Sequence, residues 1–96
     1  MNKKEALAIL KKQKSALDNF GVRSIALFGS FAREEAKESS DIDMMVEFNQ
    51  PVGLFEFARL KLFLEKVLGR EVDLVTPEAL REEMRENIMH EALRVV

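Results

Sequence analysis

Apolar residues recur at helical spacing over the first twenty positions. Ala6, Ile9, Leu10, Leu17 and Phe20 form one stripe, behind an Asn2 and Glu5 separated as in a capping pair. The pattern predicts a single helix that stops at Gly21. Val22 to Phe28 is then apolar and partly β-branched, which predicts a mostly buried strand ending abruptly at Gly29-Ser30. Good helix formers from Phe31 to Ala36, led by a capping Ser30 and early acids, predict a short helix before the polar stretch Lys37 to Ser40. From Asp41 to Phe48 the alternation is regular. It places Ile42, Met44, Val46 and Phe48 on one face of a strand and Asp41, Asp43 and Glu47 on the other.

Asn49 to Gly53 is turn chemistry, and Leu54, Phe57, Ala58, Leu60, Leu64, Val67 and Leu68 then predict a long helix ending at Gly69. Its aromatic residues Phe55, Phe57 and Phe63 are read chiefly as core. Glu71 to Val75 predicts a third strand. Thr76, Pro77 and Glu78 supply an N-cap, a first-turn proline and a dipole-complementing acid for a last helix through Leu80, Met84, Ile88, Met89 and Leu93. Val95-Val96 is a candidate edge strand, and the Met84, Ile88, Met89 group is candidate surface for association. Alternating helices and strands in this order predict an α/β (α+β) fold, a small mixed β-sheet with helices packed mostly on one face.

Length and composition narrow the function classes. Ninety-six residues hold one hydrophobic core, so one domain over 1–96 is expected, and 47% hydrophobic with 33% charged residues argues against disorder. A net charge of −2 gives no bulk attraction for nucleic acid, so any nucleotide chemistry must come from a local site. The absence of cysteine removes disulfides, thiolate metal sites and cysteine nucleophiles, and it agrees with a cytoplasmic location. No apolar run approaches the ~20 residues that cross a bilayer, so no membrane association is expected. His90 is the only histidine, too few for a ligand pair.

The chemistry concentrates in Gly29-Ser30, a ten-residue spacer, Asp41-Ile42-Asp43, and an isolated acid, Asp73, inside an apolar strand. A Gly-Ser at a strand-to-helix turn lets backbone N–H groups approach a phosphate, although Ser30 is equally explained as a helix N-cap. Two aspartates separated by one strand residue leave from the same face, where their oxygens can share a divalent cation. Carboxylates in apolar strands are costly unless neutralised, which a Mg²⁺ pair would accomplish. Asp41 and Asp43 are the candidate ligands of the nucleotide-bound ion. Asp73 joins them on the second ion and assists deprotonation of an acceptor if the third strand lies beside the second. Arg33 either grips a phosphate oxygen or pairs with Glu34 and Glu38.

This constellation resembles the DNA-polymerase-β-like nucleotidyltransferase superfamily. The segments Leu27 to Arg33, Ser40 to Asp43, Val46 to Phe48 and Val72 to Pro77 are similar, more narrowly, to the minimal nucleotidyltransferases encoded as antitoxins beside HEPN-domain ribonuclease toxins. The resemblance runs from about Val22 to Leu93; it departs at Glu34, where many relatives have glycine. It implies transfer of AMP from ATP to a tyrosine of a cognate HEPN toxin, with Gly29, Ser30 and Arg33 on the nucleotide and Asp41, Asp43 and Asp73 on magnesium. The chain has no tyrosine, so a tyrosine acceptor must come in trans. Two alternatives stand beside this reading, a noncatalytic antitoxin that masks the toxin by contact and a transferase for a small molecule. Homo- or hetero-oligomers are both compatible with it.

Overall fold

In the computed structural model, residues 2–29, 41–79, 82–83 and 86 are described, together with the backbone of 93–94. Asn2 caps the first helix, its Oδ1 accepting from the Glu5 N–H at 2.8 Å. The expected single N-terminal helix is two helices, α1 (Lys3–Lys12) and α2 (Lys14–Asn19). The break is at Gln13, whose φ of −96° and ψ of 15° leave the helical region while its N–H bonds the Leu10 carbonyl. Ala6, Leu10 and Leu17 stay buried on one side of the pair, so the apolar stripe survives the interruption that its periodicity did not reveal.

The strands follow the sequence reading closely. β1 (Val22–Phe28), β2 (Ile42–Phe48), β3 (Val72–Val75) and the two-residue β4 (Leu93–Arg94) form one sheet in the order β3-β2-β1-β4. β1 runs antiparallel to β2 and to β4, whereas β2 and β3 are parallel, so the sheet is mixed as expected. The C-terminal edge strand lies at Leu93–Arg94, just before the Val95-Val96 pair, which is outside the described residues. The parallel pair is joined by α3 (Leu54–Leu68), the helical crossover that such a connection requires. Gly53 precedes α3, and Gly69, at φ 66°, ends it in the left-handed conformation that glycine adopts without a Cβ penalty. After β3, Pro77–Ala79 makes a short 3₁₀ turn, begun by the Ala79 N–H bonding the Thr76 carbonyl at 3.1 Å.

The core lies on one face of the sheet. Ile25, Leu27, Ile42, Met44, Val46, Val72 and Leu74 meet Ala6, Leu10 and Leu17 from α1 and α2 and Leu60, Leu64 and Leu68 from α3. Phe20 and Phe63, with ring centroids 5.2 Å apart, close one side of this layer. Asp43, Glu47 and Asp73 leave the strands on the opposite face, where Ala26 and Met45 are also buried. No helix among the described residues is long and apolar enough to cross a membrane.

Two α3 leucines separate core from surface cleanly, since Leu64 is fully buried and Leu62 is 64% exposed. Leu64→Ala should cost about 3 kcal/mol and lower the melting temperature by roughly 12–24 °C, whereas Leu62→Ala should stay within about 0.5 kcal/mol. Thermal melts by circular dichroism at low micromolar concentration check the contrast.

Candidate functional site

Three features bring the site residues together. The first is the register of β2 against β3, which sets Ile42 beside Val72, Asp43 beside Asp73 and Met44 beside Leu74. The sequence reading made the role of Asp73 conditional on this neighbourhood. The structure supplies it, with two carboxylates side by side on the face turned away from the helices. Asp43 is half-buried, while Asp73 and Asp41, one residue before β2, are exposed.

The second feature is the end of β1. Phe28 pairs with Asp43, so the chain leaves the strand at Gly29 directly alongside that carboxylate. Gly29 has φ 71°, and a Cβ there would collide with Asp43 Oδ2 and stand 3.2 Å from its Cγ. Glycine therefore meets two requirements at once, a left-handed backbone and a backbone surface bare enough for the aspartate to lie against it. The turn and the acid form one structural unit.

The third feature fixes β3, an edge strand. The Ile42 N–H donates to the Glu71 carbonyl at 3.0 Å, and the Val72 N–H donates to Glu65 Oε2, also at 3.0 Å. Glu65 thus ties the last turn of α3 to the residue preceding Asp73. The sequence reading gave no role to Glu65 or to the Glu71 main chain. The available signal was an acid in the closing turn of an otherwise apolar helix stretch, one turn before the glycine stop.

Ser30 and Arg33, the other two expected nucleotide contacts, lie outside the described residues, as does His90. Glu47 is half-buried four residues along β2 from Asp43, and it lines a cleft of about 710 Å³ with Arg23, Asn49, Gly53, Thr76 and Glu78. That cleft lies against the far half of β2, and none of the three aspartates lines it. The cleft and the three aspartates sit in different places.

The donor set is all hard oxygen, the chemistry that suits Mg²⁺. Among the described residues no three acidic or histidine side chains gather closely enough to enclose an ion. Such enclosure is not what magnesium needs, since it is commonly held by one or two carboxylates, with substrate phosphates and water completing the shell. Asp43 and Asp73 in register match that requirement, with Asp41 next along the chain.

Comparison with known proteins gives concordant matches. Residues 7–96 match the nucleotidyltransferase domain family. The protein adenylyltransferase MntA of Thermococcus cleftensis is 40% identical over 92 residues, covering 95% of this chain and 93% of that one. A Methanocaldococcus jannaschii protein, provisionally named a protein adenylyltransferase, is 49% identical over 79 residues, covering 79% of each. Among solved structures, one provisionally described as a minimal nucleotidyltransferase superposes with a TM-score of 0.85 at 38% identity, over 97% of this chain and 95% of that chain. The antitoxin fold seen with a tri-AMPylated HEPN toxin of Shewanella oneidensis gives a TM-score of 0.68 at 19% identity, over 95% of this chain and 71% of that chain, a likeness of fold.

The contact between Gly29 and Asp43 can be tested by stability alone. Gly21 also has positive φ, 79°, but nothing lies within 4 Å of the Cβ it would gain. Gly21→Ala should therefore cost about 1–2 kcal/mol for the backbone conformation only. Gly29→Ala should cost at least about 1 kcal/mol more, and adding Asp43→Ala should recover that excess as a coupling energy. Urea unfolding of these three variants and of Asp43→Ala alone checks this; additivity between positions 29 and 43 would show that no such contact exists.

Proposed function

Because the chain belongs to the nucleotidyltransferase domain family, we propose that it is a magnesium-dependent protein adenylyltransferase, moving AMP from ATP onto a tyrosine of a HEPN-domain toxin and so silencing it. The observation that carries this reading is Asp43 held between the bare Gly29 backbone and the in-register Asp73. Full-length similarity to MntA of Thermococcus cleftensis, named a protein adenylyltransferase, supports the protein acceptor. Solved relatives of the same fold include a toxin–antitoxin complex with AMP-PNP, which supports a nucleotide substrate and a toxin partner.

In this reading the acceptor hydroxyl oxygen forms a bond to the α-phosphorus of ATP. The bond from that phosphorus to the bridging α–β oxygen breaks, and pyrophosphate leaves. Gly29 and Ser30 present backbone N–H groups and a hydroxyl to the phosphates. Asp41, Asp43 and Asp73 would hold magnesium, which when bound neutralises phosphate charge and lowers the pKa of a coordinated hydroxyl. Asp73, the more exposed of the in-register pair, takes up the hydroxyl proton in this reading. Arg33 is the candidate cation for the phosphate side.

The test is transfer of label from α-labelled ATP, with Mg²⁺, to a small HEPN-domain protein in a lysate of the source organism. Asp43→Asn should lower transfer roughly a thousandfold, the loss of several kcal/mol of charge stabilisation, with the melting curve still cooperative. Chelating the divalent cation should abolish transfer by the wild type, and γ-labelled ATP should label nothing. A folded Asp43→Asn variant that transfers at the wild-type rate removes Asp43 from the chemistry. One that transfers nothing yet neutralises the toxin in equal amount establishes masking by contact instead.

A further inference from the structure

The helix α3 meets the core through Leu60, Leu64 and Leu68, while Leu54 and Phe55, which the sequence reading placed in the core, are 80% and 82% exposed. Helical geometry puts Glu65 one step of about 100° round from Leu64, on the flank of the helix and not on its buried front. From that flank its carboxylate reaches β3, where Oε2 accepts the Val72 N–H at 3.0 Å. The main-chain carbonyl of the same residue accepts the Gly69 N–H at 2.8 Å. One residue thus holds both ends of the connection Gly69-Arg70-Glu71, the helix stop with its backbone and the strand start with its side chain.

The bond to Val72 fills a place that the sheet leaves open. The C=O and N–H of a trans peptide point in opposite directions. The peptide that gives its Glu71 carbonyl to the Ile42 N–H therefore turns its Val72 N–H away from β2, toward the outer edge of β3, where the sheet ends. Val72 is only 2% exposed, which leaves little water to take that N–H, and a covered N–H without an acceptor is costly. The peptide is pinned from both sides, by β2 on one and by α3 on the other. Asp73 is the next residue.

We infer that Glu65 is a positioning residue for Asp73, pinning the peptide before it and so keeping its carboxylate in register with Asp43. The inference rests on the proposed adenylyl transfer. Gly29, Asp41 and Asp43 sit on or beside β1 and β2, whose mutual pairing does not use this bond. Loss of Glu65 therefore lowers turnover and leaves the affinity for ATP largely intact. The bond needs an oxygen acceptor and not a charge, so the side-chain amide of glutamine can replace the carboxylate.

The test uses the full chain with Glu65→Gln, Glu65→Ala, Asp73→Asn, and Glu65→Ala combined with Asp73→Asn. Amide hydrogen exchange by NMR reads the anchor without any activity. Val72 protection should fall at least about tenfold in Glu65→Ala and stay within about threefold of wild type in Glu65→Gln. In initial rates of label transfer from α-labelled ATP to the HEPN-domain acceptor, Glu65→Ala should lower kcat about ten- to a hundredfold, with KM for ATP within about threefold. Glu65→Gln should restore most of that rate. Adding Glu65→Ala to Asp73→Asn should change kcat by less than about twofold, because the residue through which Glu65 acts is already gone. A purely structural role predicts that the two losses multiply. Glu65→Leu, which also lacks the acceptor, replaces Glu65→Ala if that variant does not melt cooperatively. Unchanged Val72 exchange, a wild-type kcat in Glu65→Ala or in Asp73→Asn, or multiplying losses overturns the proposal. A wild type that transfers nothing while Val72 exchange responds as expected sinks the adenylyl reading and leaves the hold of Glu65 on β3 standing.

Discussion

The site depends on one constraint that electrostatics alone would oppose. Two aspartates sit directly beside each other across a parallel ladder, where neighbouring strands are about 4.8 Å apart and like charges destabilise. What holds them there is the other face of the same strands. Ile42 beside Val72 and Met44 beside Leu74 are buried against the helical layer. A slip of one residue would turn Val72 and Leu74 outward and Asp73 into the core. Apolar burial thus fixes a like-charge pairing that the two carboxylates by themselves oppose.

Supporting contacts act on that register from both ends. The Glu71 carbonyl takes the Ile42 N–H at the start of β2, and the Glu65 carboxylate takes the Val72 N–H on the open edge of β3. A short edge strand of four residues has little pairing of its own, so a side chain from α3 anchors it where Asp73 needs to be. On the other flank, Gly29 lets β1 end against Asp43 without intervening side-chain bulk. Each of these involves the backbone, and together they place carboxylates whose own sequence context is simply an acid in a strand.

Much of this was legible in the sequence because strand alternation reports directly on faces. Ile42, Met44 and Val46 went inward and Asp43 outward as their positions required, and the limits of β1, β2 and α3 follow from turn residues that the chain spells out. The adjacency of β2 and β3 was not legible, since periodicity says nothing about which strand neighbours which; the sequence reading left it as a condition, and the parallel register meets it. The break at Gln13 escaped because Leu10 and Leu17 remain a heptad apart whether or not the helix is continuous. Glu65 escaped for a different reason. Its partner is a main-chain N–H, which no side-chain pattern announces.

Leu54 and Phe55 were misplaced because a helix with apolar residues on two sides carries two overlapping stripes, and a sequence cannot say which of them the core takes. Geometry decides it. The core takes the stripe through Leu60, Leu64 and Leu68, which faces the sheet, and the second stripe is left on the far side of the helical layer from Asp43 and Asp73. Among the described residues the two sides of the sheet thus differ in chemistry, with Asp43, Glu47 and Asp73 on one and the apolar core on the other, and the Phe55 and Leu62 side of α3 lies beyond that core.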